Sequence, residues 1–135
     1  MTAGTKGLAQ WHSYMENGAD PAVLRSLLAE DAVFHSPVVH TPQAGREKVF
    51  AYLDAAGHVL GGQPSFTYVR ELVDGPNVML EFTAEIDGIF INGIDLIQFN
   101  EDGLVKDFKV MVRPMKAMNM LWEKMGAMLA AKATS

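Results

Sequence analysis

From Ser65 to Arg113 the apolar residues of this chain recur at every second position, and the alternation is broken only at DGPN (74–77), DG (87–88) and NEDG (100–103). A period of two belongs to strands that turn one face to a core and the other to water, and the interruptions have the composition of tight turns. The segment therefore predicts four strands paired as an antiparallel meander. In VMLEFTAEID the two faces separate completely: Val78, Leu80, Phe82, Ala84 and Ile86 on one, Glu81, Thr83, Glu85 and Asp87 on the other.

The flanking segments follow a helical period. Leu8, Trp11 and Met15, spaced by three and four, predict an amphipathic helix from about residue 5 to the stop at Asn17-Gly18. DPAVLRSLLAED predicts a second, short helix with Asp20 as N-cap, Pro21 at its first position and Val23, Leu24, Leu27 and Leu28 as its apolar stripe. AVFHSP reads as a brief strand ended by Pro37. After a loop rich in Pro, Thr and Gly, REKVFAYLDAAGHVL places Val49, Phe50, Leu53 and Leu60 on one face of a third helix that ends at Gly61-Gly62. Beyond Pro114 the helical period returns, with Met115, Met118, Leu121, Trp122, Met125 and Met128 or Leu129 as the expected docking face. Helices followed by an antiparallel sheet make an α+β architecture. At 135 residues, one domain spanning 1–135 is expected.

Composition removes several classes of function. A net charge of −5 argues against nucleic acid as a partner, because phosphate backbones are bound by cationic faces. With no cysteine there is no disulfide, thiolate metal site or thiol nucleophile. MTAGTKGLAQWHS lacks the apolar core of a signal peptide, and no apolar run approaches the ~20 residues of a membrane span, so a soluble, cytoplasmic protein with no membrane partner is expected. His12, His35, His40 and His58 show no metal-ligand spacing, so no metal is expected. No G-x-S-x-G elbow is present to activate Ser36 as a nucleophile.

The order of elements, together with LLAEDAVFHSP, AGREKVFAYL and GIDLIQFNEDGLVKDFKVMVRP, resembles the nuclear transport factor 2-like superfamily in its SnoaL-like, ketosteroid-isomerase-like branch, over nearly the whole chain. The resemblance implies a cystatin-like cone, in which a curved antiparallel sheet and three N-terminal helices enclose a pocket, here with an extra C-terminal helix. It also implies a homodimer formed by sheets packed back to back. It does not imply one reaction, because that superfamily hosts isomerases, cyclases, epoxide hydrolases, dehydratases and non-catalytic proteins on one pocket. Set against the ketosteroid isomerases, Asp95 matches the strand aspartic acid that helps form the oxyanion hole. The hole tyrosine of the first helix falls on Trp11, and the catalytic base falls on Ser36. With the base replaced, steroid double-bond isomerisation by that family's mechanism is not expected.

Asp95 shares strand parity with Ile97 and Phe99, whereas Ile94, Leu96 and Gln98 point the other way, so its carboxyl is expected to face inward. A carboxylate among apolar side chains must raise its pKa or recruit donors. Neutral, it gives a proton to a developing oxyanion; ionised, it acts as a base; otherwise it is a structural carboxylate held by backbone amides or by the Trp11 indole. The family geometry makes Asp95 the acceptor of the Trp11 N–H. Trp11, Met15 and Ser36 would then orient a ligand, with His40 in the loop at the pocket mouth. Phe34, Phe50, Leu53, Phe82, Phe108 and Val110 would form its walls.

Two functions remain open at this point. The leading one is a cofactor-independent enzyme acting on a hydrophobic small molecule by acid/base proton transfer, as an isomerase, cyclase or hydratase-type lyase, with Asp95 as its catalytic group. The alternative is non-catalytic binding of an apolar ligand, or an assembly module of the same fold. Ile94 and Leu96, with the Val105 and Met111 side of the last strand, make a surface too apolar for water, and a second copy of the chain is its expected cover. The methionine-rich last helix would lie over the chain's own pocket or on the partner.

Overall fold

The computed structural model describes residues 2–134, with side chains through residue 131. In chain order the elements are α1 (Ala3–Glu16), α2 (Pro21–Ser26), β1 (Leu28–His35), β2 (Gln43–Ala44), α3 (Arg46–Ala56), a π-helical turn (Gly57–Gly61), β3 (Thr67–Asp74), β4 (Asn77–Ile86), β5 (Ile89–Phe99), β6 (Val105–Arg113) and α4 (Met115–Thr134). The strands form one sheet in the order β2-β1-β6-β5-β4-β3.

The meander is present as the alternation predicts, with β3 to β6 paired antiparallel in sequence order. The sheet as a whole is not antiparallel, because β1 runs parallel to β6, pairing Phe34 with Phe108. A parallel pair needs a long crossover, and everything from α3 to β5 supplies it. β2 extends the edge beyond β1 by pairing Ala44 with Val33. Two residues carry no period, so nothing in the loop announces this strand.

Each helix forms for local reasons and is then shaped by the sheet. The Thr2 hydroxyl caps α1 by accepting from Thr5 N, and Asp20 caps α2 by accepting from Ala22 N. On α1 the glycines set the approach: a Cβ on Gly7 would overlap the Phe99 ring, and Gly4 N donates to Gly75 O at 3.0 Å. The second helix is shorter than its stripe implies. Leu28 is the first residue of β1 and pairs with Val105, while Val105 N donates to Leu27 O at 2.8 Å, so ladder bonds to β6 win over helix continuation. α3 ends at Ala56 and widens into the π turn, where a regular helix was expected to Gly61.

Two apolar surfaces differ from expectation. α4 docks by Ala117, Met120 and Leu121 against Val59, Phe82, Ile86 and Ile91, whereas Met115 and Trp122 are 76% and 63% exposed. The helix is thus rotated from the Met115–Trp122 stripe toward Ala117, whose small side chain lets the helix come close to the sheet. Val105, expected outside beside Met111, is buried opposite Phe99. The register of β5 and β6 shifts at Gln98/Phe99, and this bulge reverses which face Val105 meets. No helix among the described residues is long and apolar enough to cross a membrane.

Candidate functional site

Between α1, α3, α4 and the helix-bearing face of the sheet lies a cavity whose walls are nearly all carbon. The space open to the centres of water-sized spheres is ≈ 80 Å³. Asp95 is its acid. Strand alternation brings it inward beside Ile97, as its parity predicts, and leaves it 7% exposed. Gly93, two residues earlier on the same face, has no side chain, and a Cβ there would overlap Phe82. The Phe82 ring fills that space and lines the same cavity as Asp95.

The hydrogen bonding at Asp95 departs from expectation. Trp11 Nε1 does not donate to the carboxylate: it donates to the Tyr68 hydroxyl at 3.0 Å, and Tyr68 in turn donates to Asp95 Oδ2 at 3.3 Å. A 3.3 Å O–H···O contact is long for a hydroxyl donor, and one such bond offsets little of the cost of burying a charge. Desolvation therefore dominates, and it pushes the Asp95 carboxyl up to about 7 despite the bond from Tyr68, which acts in the opposite direction. Burial, and then the neighbouring Asp95, raise the Tyr68 phenol well above its ordinary value. The result is one carboxyl lifted far above the ordinary carboxylate range, able to take or give a proton, with a phenol that stays protonated beside it.

The structure places the other candidates as follows. Trp11, Met15, Phe34, Ser36 and Leu53 border the cavity with Asp95, as do Phe82, Phe108 and Val110. Phe50 and His40 do not. Phe50 lies one turn before Leu53 on α3 with the Arg25 guanidinium 4.5 Å above its ring, and His40 is exposed in the loop before β2. Ser36 Oγ accepts from Val38 N at 3.2 Å. Lys109 pairs with His35 and Val110 with Asp95, so Ser36 stands two strands away from Asp95, ~10 Å at normal strand spacing. His35 turns to the opposite face and meets Asp107 at 2.8 Å. Among the described residues no three His, Cys, Asp or Glu side chains gather as a metal site.

Tyr68 and Tyr14 also border the cavity, and the sequence reading missed both. Tyr14 had a signal, since it lies three residues after Trp11 on the buried face of α1. Tyr68 had almost none, because β3 is an edge strand with no clean alternation. Gly57 and Gly61 of the π turn form part of the cavity wall, and Leu121 and Met125 cover it from α4. The last helix therefore lies over its own chain's cavity.

The chain belongs to the SnoaL-like domain family, which it matches over residues 8–108, within the nuclear transport factor 2-like superfamily. Among solved structures it is similar to a steroid delta-isomerase from Pseudomonas aeruginosa, with 39% identity and a TM-score of 0.91, covering 100% of this chain and 97% of that one. A protein with a cystatin-like fold from Silicibacter pomeroyi DSS-3 shares 34% identity at a TM-score of 0.79, over 90% of this chain and 83% of that one. An NTF2-like protein of unknown function from Mesorhizobium loti shares the fold at 21% identity and a TM-score of 0.68, over 82% of this chain and 93% of that one. No curated protein is a significant sequence match.

Proposed function

We propose that this chain is a cofactor-independent enzyme that isomerises an apolar carbonyl compound by moving one proton, with Asp95 as the group that carries it. The observation behind this reading is a carboxyl held near 7 at the floor of a carbon-walled cavity, where both of its protonation states are within reach. The likeness to the Pseudomonas aeruginosa steroid delta-isomerase favours isomerisation over cyclisation or dehydration. In the proposed reaction ionised Asp95 takes a proton from the carbon between the carbonyl and an isolated double bond. Electron density moves onto the carbonyl oxygen, and the same proton returns to the far alkene carbon as the double bond shifts into conjugation. One carboxyl then does the work of base and acid in turn, which suits a site with Ser36 where a second carboxylate would stand.

The same reading treats the chain as one domain with its sheet curved around the cavity, acting as a homodimer without nucleic acid as a partner. Leu72, Met79 and Leu96 pair in a row across the outer face, beside Ile94 and Met111, and this apolar strip is the proposed dimer surface.

An apolar β,γ-unsaturated cyclic ketone tests the activity. Conjugated-enone absorbance should rise with wild-type protein and stay at the solution rate with Asp95→Asn. Equal rates for the two proteins would overturn the role of Asp95, and a wild-type rate no faster than buffer would favour the alternative of a pocket that binds without chemistry.

A further inference from the structure

Asp95 lies at the seam between two packed clusters of apolar side chains. On the inward face of β5, Ile97 and Phe99 belong to the cluster that holds Trp11 and Phe108, whereas Ile91 belongs to the one that holds Met120 and Leu121 of α4. α1 covers the sheet on one side of the carboxyl, with Gly7 against Phe99, and α4 covers it on the other. Ile91 stands four residues from Asp95 along the strand, ~13 Å at normal rise. The cavity occupies the gap between the two helices.

Leu121 and Met125, one helical turn apart, are the side chains by which α4 borders that gap. Leu121 is buried, and Met125 packs partly buried on the same cluster, where its flexible thioether can fill irregular space. Leu60 of the π turn packs on this cluster as well and borders the cavity with them. The space left open is ≈ 80 Å³, well below the roughly 300 Å³ at which clefts begin to hold drug-sized ligands. The match to the SnoaL-like domain ends at residue 108, before α4 begins, so the limit on this side is set outside the part of the fold that the family defines.

We propose that Leu121 and Met125 are specificity-determining residues, a backstop on α4 that limits how far a substrate with its oxygen at Asp95 extends along the sheet. The substrate class is then a compact apolar carbonyl compound of a single ring. Met125, the less buried of the two, is the residue at which that limit is moved. This rests on the reading of the cavity as the substrate site.

Two probes with one hydroxyl for Asp95 differ in length: 4-methylphenol, with one ring, and 4-phenylphenol, with two rings in line. Calorimetric titration of the wild-type protein should show 4-methylphenol binding and 4-phenylphenol binding no more tightly, despite its larger apolar surface. Met125→Ala should tighten 4-phenylphenol by roughly tenfold, the worth of about two buried methylene groups, and leave 4-methylphenol within about twofold. Met125→Trp fills the same end and should weaken 4-phenylphenol, a change of opposite sign that a general loosening of the fold does not produce. A ratio of affinities unchanged by both substitutions, or a wild type that prefers 4-phenylphenol by tenfold or more, overturns the role of α4 and leaves the cavity reading standing. If neither probe binds the wild type, the cavity reading fails and this inference with it.

Discussion

Tyr68 donates to Asp95 across 3.3 Å, and among the described residues that single long contact is what favours the ionised carboxylate against its burial. Removing the phenol should therefore raise the Asp95 pKa further. Tyr68→Phe also leaves the Trp11 indole N–H without an acceptor, at a cost of ~1–3 kcal/mol. Carboxyl-detected NMR titration and a urea melt check both effects; a pKa that falls in Tyr68→Phe would show that the phenol does not stabilise the carboxylate.

Stability should depend on pH through Asp95 with a definite sign. The folded carboxyl titrates at about 7, above the unfolded value, so it binds its proton more tightly when folded. Its contribution is fully present below about pH 4 and is lost as pH rises through about 7. The shift corresponds to roughly 4 kcal/mol as an order of magnitude, at ~1.4 kcal/mol per unit. Asp95→Asn should flatten this slope, so that the variant matches or exceeds the wild type at about pH 8. Urea midpoints across the range give the comparison, and parallel profiles would mean that the carboxyl is not desolvated.

Adjacent residues on α4 should behave oppositely. Leu121 is 2% exposed under the helix and Trp122 is 63% exposed on its outer side. Leu121→Ala should cost ~2–5 kcal/mol, and Trp122→Ala no more than ~0.5 kcal/mol. Thermal melts of the two variants test the docking face, and the reverse order would restore the Met115–Trp122 stripe as the buried one.

If the outer face forms the proposed dimer, Leu96→Glu places a carboxylate in the middle of the Leu72–Met79–Leu96 row. Light scattering at low micromolar concentration should then show monomers. A variant that stays dimeric locates the interface elsewhere.

The parts of this fold that could be read from sequence are those where one period has one interpretation. Alternation in β4 and β5 gave the meander, and parity alone turned Asp95 inward. The α2/β1 boundary was hidden because Leu24, Leu27 and Leu28 satisfy a helical stripe as well as a strand entry, and only the partner strand β6 decides between them. Val105 was misplaced because a bulge changes parity without changing composition. On α4 the methionine stripe outweighed Ala117, although a small residue allows the closest approach to the sheet. At the site, family geometry pointed Trp11 at Asp95, and Tyr68 stands between them. Its strand exposes Val69, Leu72 and Val73, so no pattern marked the one side chain that turns in.

The parallel pairing of β1 with β6 also bears on how the chain is made. Leu28 and its partner Val105 are far apart in sequence, so β1 leaves the ribosome long before the strand that will hold it exists. The hairpins from β3 to β6 close on local partners as they emerge, while α1, α2 and β1 wait with Leu24, Leu28 and Phe34 uncovered. A ribosome stalled anywhere before Val105 therefore releases a product whose first third has no sheet to join, a substrate for chaperones and proteases instead of a smaller folded protein.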